Sequence, residues 1–206
     1  MTKNGMTISR RAALSATAAL LAAARAATPR GAFAQGTTTP EVTKATLGYI
    51  ALTDSAPLII AKEKGFFAKH GMPDVEVSKQ ASWGATRDNL VLGGGSGGID
   101  GAHLLSPMAY LLHAGKITQN SQPLAMNIVA RLNTNGQGLS VAAKHKGATI
   151  DAGTLKGVLT PDSKVAMTFR GGTHDLWIRY WLAAAGIDPE KDAQTIVVPP
   201  PQMVAN

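Results

Sequence analysis

The chain has 206 residues, 45% hydrophobic and 16% charged, a balance that provides for a packed core and excludes global disorder. It contains no cysteine, which excludes disulfides, thiolate nucleophiles and Cys-ligated metals. The net charge of +7 is uneven: residues 1–34 hold five basic residues and no acidic one, while the remainder holds 15 basic against 13 acidic, a balance of +2. An argument for nucleic acid from the overall charge would rest on the first segment alone, so no nucleic-acid partner is expected.

That segment has the pattern of an export signal. Ser9-Arg10-Arg11 supplies a paired-arginine start, an Ala/Leu-rich run follows from Ala12 to Ala24, and Ala32-Phe33-Ala34 offers a small-x-small cleavage site before Gln35. The run is too short, and too soon interrupted by Arg25, for a membrane span. A Tat-type signal peptide over 1–34 is predicted; the alternative is a basic, Ala-rich amphipathic helix. No cysteine stands at the cleavage site, so a lipoprotein anchor is excluded, and the mature protein is expected in the periplasm. Residues 35–43, with "GTTTPE" at their centre, read as a flexible tether before a domain over 44–206.

Within that domain the elements alternate. Ala45–Leu52 reads as a buried strand, followed by a helix that Asp54 or Ser55 could cap, with Pro57 in its first turn. Val75–Lys79 alternates like a strand, Trp83–Leu92 reads as a helix, and Ile99–Leu104 as a short strand after a glycine loop. Ser106 and Pro107 open a helix to about His113. Leu124–Leu132, Leu139–Ala143, Val165–Phe169 and Thr195–Val198 read as further strands, and Thr173–Ala185 as an amphipathic helix. Strands alternating with helices predict an α/β fold with a doubly wound, mostly parallel sheet. The chain stops at "PPPQMVAN", just after a strand and without a covering helix, which reads as a truncated product.

Two glycine motifs fail on context. Gly93, Gly95 and Gly98 match G-x-G-x-x-G, and Gly94 to Gly98 match G-x-S-x-G around Ser96. Both motifs need a strand before and a helix after; here the order is reversed, so neither a dinucleotide site nor a catalytic serine is expected. The five histidines form no ligand spacing, so no metal or cofactor is expected, nor a catalytic cluster.

Three loops have the chemistry of binding sites. Ser82-Trp83-Gly84 opens a helix whose first N–H groups lack intrahelical partners and suit an anion; alternatively Trp83 packs in the core while Ser82 or Thr86 caps the helix. Gly171-Gly172-Thr173-His174 is a second glycine-to-helix junction, where His174 is either a neutral donor to a ligand or a surface residue. Gln137, between Gly136 and Gly138, is a turn residue or an amide aimed at a ligand. In a doubly wound sheet such loops gather at the carboxyl ends of the strands.

The stretches "LGYIALTDSAPLIIAKEKGFFAKHGMPDVEV", "KQASWGATRDNLVLG", "GGIDGAHLLSPMAYLL" and "GGTHDLWIRYWLAAAGIDP" resemble the periplasmic nitrate/bicarbonate-binding proteins of ABC importers, from about Lys44 to Val198. The resemblance implies a type II periplasmic-binding fold, here with its second lobe incomplete. It also implies a monomer that captures nitrate, nitrite, cyanate or bicarbonate and delivers it to a membrane permease. In that family the anion meets a Trp with nearby backbone, a Gln and a His, which match Trp83, Gly84, Gln137 and His174. A charged residue used later in the family's chain has no counterpart before Asn206, so nitrate and bicarbonate are not separated. The rival expectations are a thiamin-pyrimidine-synthesis-like enzyme on the same fold and a sensor domain.

Overall fold

The computed structural model describes residues 39–205 except 135, 152 and 161; the predicted signal peptide lies outside the described residues. Strand β1 (Lys44–Tyr49) leads through a 3-10 turn at Thr53–Ser55 into α1 (Ala56–Glu63) and the short α2 (Phe66–Lys69). Then come β2 (Asp74–Lys79), α3 (Trp83–Leu92), β3 (Gly101–Ala102) and α4 (Ser106–His113). After a long irregular stretch follow α5 (Leu155–Val158), β4 (Lys164–Met167), α6 (Thr173–Ala184) and β5 (Gln194–Val197).

The strands divide into two sheets, β2-β1-β3 and β4-β5, and every pairing is parallel. Strand β1 is central, with Leu47 opposite Val77 on one side and Gly101 on the other, which suits its apolar sequence. Parallel strands need crossovers, and the helices between them supply these. All five carboxyl ends therefore come from loops that feed helices or the 3-10 turns beside them.

Three apolar clusters make the core. Leu155, Met167, Ile178, Leu182, Ile187 and Ala193 pack α5 and α6 onto the two-stranded sheet. Leu90, Ile99 and Leu112 join α3, the start of β3 and α4. Between them, Ile50, Trp83, Leu105, Met108 and Phe169 bring together chain that leaves β1, β2, β3 and β4. Trp83 is wholly buried there, so the tight core packing weighed for it in the sequence is present.

Several sequence expectations are corrected. Residues 124–132 and 139–143 form no strand: Leu124 and Met126 pack beside the Leu90 cluster, but Val129 is 95% exposed. A strand exists through its neighbour's hydrogen bonds, and neither sheet extends to this stretch, so apolar composition alone does not make one. Asp54 does not cap α1; its carboxylate turns to His103, while the Ser55 hydroxyl donates to Leu52 O at 2.6 Å. Ser106 lies inside α4 and makes no side-chain cap. Thr43, placed in the tether, is docked, its carbonyl accepting from the Asp74 N–H at 3.2 Å.

The glycine run between α3 and β3 is a turn, as its context required. Gly93 and Gly97 hold φ of 77° and 85°, and a Cβ on Gly98 would stand 2.2 Å from Asn89 O. Gly98→Ala is therefore expected to cost about 1–3 kcal/mol, the range of overpacking, whereas Gly95→Ala, facing open space, is expected within about 0.5 kcal/mol of the parent. Urea unfolding of the two variants checks the contrast.

Candidate functional site

The start of α3 is built by local hydrogen bonds. Ser82 is extended, its hydroxyl accepts the Ala85 N–H at 3.0 Å, and its carbonyl accepts both the Thr86 N–H (2.9 Å) and the Thr86 hydroxyl (3.0 Å). The amides of Trp83 and Gly84 are left as the unclaimed donors of this turn, at the positive end of the helix dipole. The loop before them is fixed by buried Gln80, whose N–H donates to Tyr49 O at 2.8 Å and whose Oε1 accepts from Asn89 Nδ2 at 2.6 Å. A Cβ on Gly84 would meet only Ser82 Oγ, at 3.6 Å, so the backbone there is open to approach.

The start of α6 is held differently. The Gly171 N–H donates to Asp175 Oδ2 at 2.7 Å, and Asp175, buried to 3%, accepts from Arg179 Nε at 2.6 Å. Arg179 also pairs with Glu190, which ties the helix to the loop before β5. This clamp sets His174 in the first turn, half-buried, with Nδ1 2.9 Å from the Thr168 hydroxyl. Burial holds the His174 pKa below the ordinary histidine value, against the Asp54 charge, which pulls it upward.

The start of α3 and the loop that leads toward α6 border one cleft of about 380 Å3, walled by Ser82, Gly84, Arg87, Ile117, Thr168, Phe169, Arg170, Val197 and Pro199. It lies where chain leaves β2, β4 and β5, the carboxyl ends at which parallel α/β sheets bind ligands. A second groove, lined by Lys44, Lys62, Asp74, Val75 and Glu76, lies at the amino ends of β1 and β2 and mixes both charges; the strand polarity speaks against it.

Gly84 is thus a wall residue, and His174 stands behind the wall residue Thr168. Trp83 sits between the wall residues Ser82 and Gly84, its ring wholly buried and its Nε1 without a hydrogen-bond partner. Gln137 is exposed on the irregular stretch and is not among the wall residues, so the structure does not bring it to the cleft. Sequence reasoning missed the groups that join Trp83 to His174. His103 packs edge-on against Trp83 at 5.2 Å between ring centroids, and its Nε2 lies 3.1 Å from Asp54 Oδ2. It also missed Arg87 and Arg170. The available signal was position: His103 directly follows a strand and Arg170 lies three residues past one, each before a helix start.

Parallel sheets, crossover helices and a cleft of paired helix starts define an α/β ligand-binding fold. The chain belongs to the NMT1-like family, whose profile matches residues 38–206. It is 64% identical to the nitrate/nitrite binding protein NrtA of Synechocystis over 84% of this chain and 39% of that protein. It is 44% identical to the bicarbonate-binding protein CmpA of Synechococcus elongatus over 84% of this chain and 40% of that protein. The crystal structure of the periplasmic nitrate-binding protein NrtA from Synechocystis superposes with a TM-score of 0.76 at 63% identity, covering 82% of this chain and 44% of that one. The chain thus spans about two-fifths of the length of these relatives and shares their fold over that part.

The depressed His174 pKa gives a signed expectation. Neutral His174 favours the folded state, so its contribution is complete above the ordinary value of 6.5 and is lost as pH falls through the lowered folded value. An NMR titration of the anion-free chain is expected to place the His174 midpoint below 6.5. His174→Gln is expected to remove the corresponding loss of stability on acidification.

Proposed function

We propose that this chain carries the anion-capturing region of an exported solute-binding subunit of an ABC importer, and that its ligand is nitrate or a close oxyanion. The observation that carries the reading is the meeting of the start of α3, with its unclaimed amides, and the loop that leads into α6 at one cleft. The positive end of the α3 dipole lies at its wall, and Arg87 and Arg170 line it. An inorganic anion needs N–H donors and positive potential, and these are what the wall offers.

In this reading the Gly84 amide and the Trp83 amide donate to anion oxygens, and His174 presents its remaining ring nitrogen as a donor. Thr168 orients that ring through Nδ1. Gln137 belongs to the same site if residues 124–142 move toward the cleft when the anion is present. Capture outside the cytoplasm, export by the Tat route without a lipid anchor, and release to a membrane permease complete the proposal. The high identity to proteins named for nitrate and bicarbonate binding supports a binding rather than a catalytic role. Nitrate is favoured over bicarbonate because identity to the nitrate/nitrite protein is higher.

Isothermal titration calorimetry with nitrate and bicarbonate tests the proposal. Nitrate is expected to bind more tightly, and His174→Ala to weaken it by about tenfold, the loss of roughly 1.4 kcal/mol of hydrogen bonding. Trp83→Phe keeps the backbone amide and a buried aromatic ring while shrinking the indole and removing Nε1–H, so it is expected to leave nitrate binding in place, whereas Trp83→Ala would cost about 3–5 kcal/mol of stability. Equal affinity for nitrate in the parent and in His174→Ala would contradict the role given to His174.

A further inference from the structure

Behind the cleft wall, His174 is joined by two titratable groups that the anion reading does not use. Asp54 comes from the 3-10 turn after β1, His103 from the loop after β3 and His174 from the first turn of α6. His103 is 4% exposed and pairs through Nε2 with Asp54 Oδ2 at 3.1 Å; its Nδ1, Asp54 Oδ1 and Trp83 Nε1 are all buried without a hydrogen-bond partner. The Asp54 charge also acts on His174. A carboxylate beside one imidazole and acting electrostatically on a second, next to the candidate anion cleft, raises a charge question: the anion adds a second negative charge to a partly buried site.

We propose that the cleft takes up its anion together with a proton from solvent, held on the Asp54–His103–His174 cluster. Three features support the step. The Asp54 carboxylate stands 3.1 Å from the His103 ring, so the two groups act on one another directly. Burial keeps His174 neutral in the anion-free cleft, leaving a basic ring nitrogen able to accept a proton when negative charge arrives. The other charges facing the cleft are already partnered or exposed. Arg87 is held by Asp88 at 2.8 Å, Arg170 is 58% exposed and 4.0 Å from Glu190, and Asp175 at the start of α6 is held by Arg179.

The balance is simple: protein, one anion and one proton give the loaded protein, with no bond broken. Linkage then fixes the sign. A group whose pKa rises when the anion binds makes affinity increase as pH falls between its free and bound values, by up to about tenfold per pH unit. Asp54 and His103 are positioning residues in this scheme, acting through His174 and Trp83.

The proposal rests on the anion-binding reading, and calorimetry separates the two. Nitrate is titrated into the full chain at pH 7 in HEPES and in Tris, buffers of different ionisation enthalpy, and again from pH 6 to pH 8. The expected result is net proton uptake of up to one per nitrate and a Kd that rises with pH. Asp54→Asn removes the cluster's negative charge and is expected to bind more tightly at pH 8, with smaller proton uptake and a flatter pH profile. A residue serving structure alone would weaken binding at every pH instead. Nitrate binding with no proton exchange and a constant Kd overturns the proton proposal and leaves anion capture standing; no nitrate binding at any pH overturns both. The parent measurement needs no variant, so it decides the matter even if Asp54→Asn fails to fold.

Discussion

The burial of one indole organises the cleft. Trp83 is the first residue of α3, and its ring lies in the core with Ile50, Leu105, Met108 and Phe169. Each of those residues belongs to chain that has just left a strand or lies at or near the start of a helix. Filling the space with a single large, rigid side chain therefore fixes several strand ends against one another. An aromatic of this size contributes a few kcal/mol by burial. More to the point, it can sit in only one place, and the backbone on either side of it must then face outward. That is how Ser82 and Gly84 become walls of the cleft while the residue between them does not.

From that geometry the electrostatics follow. A helix cannot satisfy its own first amides, and parallel strands deliver helix starts to the same side of a sheet. Ser82 answers the Ala85 and Thr86 amides and leaves those of Trp83 and Gly84. At α6 an acidic residue, Asp175, answers the loop amide of Gly171 instead, and Arg179 neutralises that acid. The two starts are thus prepared in different ways, one with bare amides and one with a clamped turn carrying a neutral imidazole. The start of α3 offers its positive dipole end to the cleft without relying on a buried cation, which would carry a heavy desolvation cost.

Much of the fold was legible because its signals are local. Trp83–Leu92 has the predicted bounds, and α6 differs only at its last residue, since a polar capping residue and a terminal glycine mark such ends. The glycine run was correctly denied a nucleotide or catalytic role, because order along the chain tells a helix-to-strand turn from a strand-to-helix loop. Residues 124–143 were misread because strand identity is not local: an apolar run becomes a strand only beside another. At the site, Gly84 and His174 were legible from their helix-start context. The Asp54–His103 pair was not, because the two residues lie 49 positions apart in the chain and the pairing exists only once β1 and β3 are side by side. Asp54 had a plausible local role as a cap, and the tertiary partner displaced it.

The central claim is that the bare amides of α3 and the imidazole of α6 face one anion. Its most direct test is a nitrate titration of the 15N-labelled chain followed by two-dimensional amide NMR. The account predicts that the Gly84 amide, the Trp83 indole N–H and the His174 ring move together along one saturable curve. Saturable shifts confined to other residues, with these three unmoved, would contradict it.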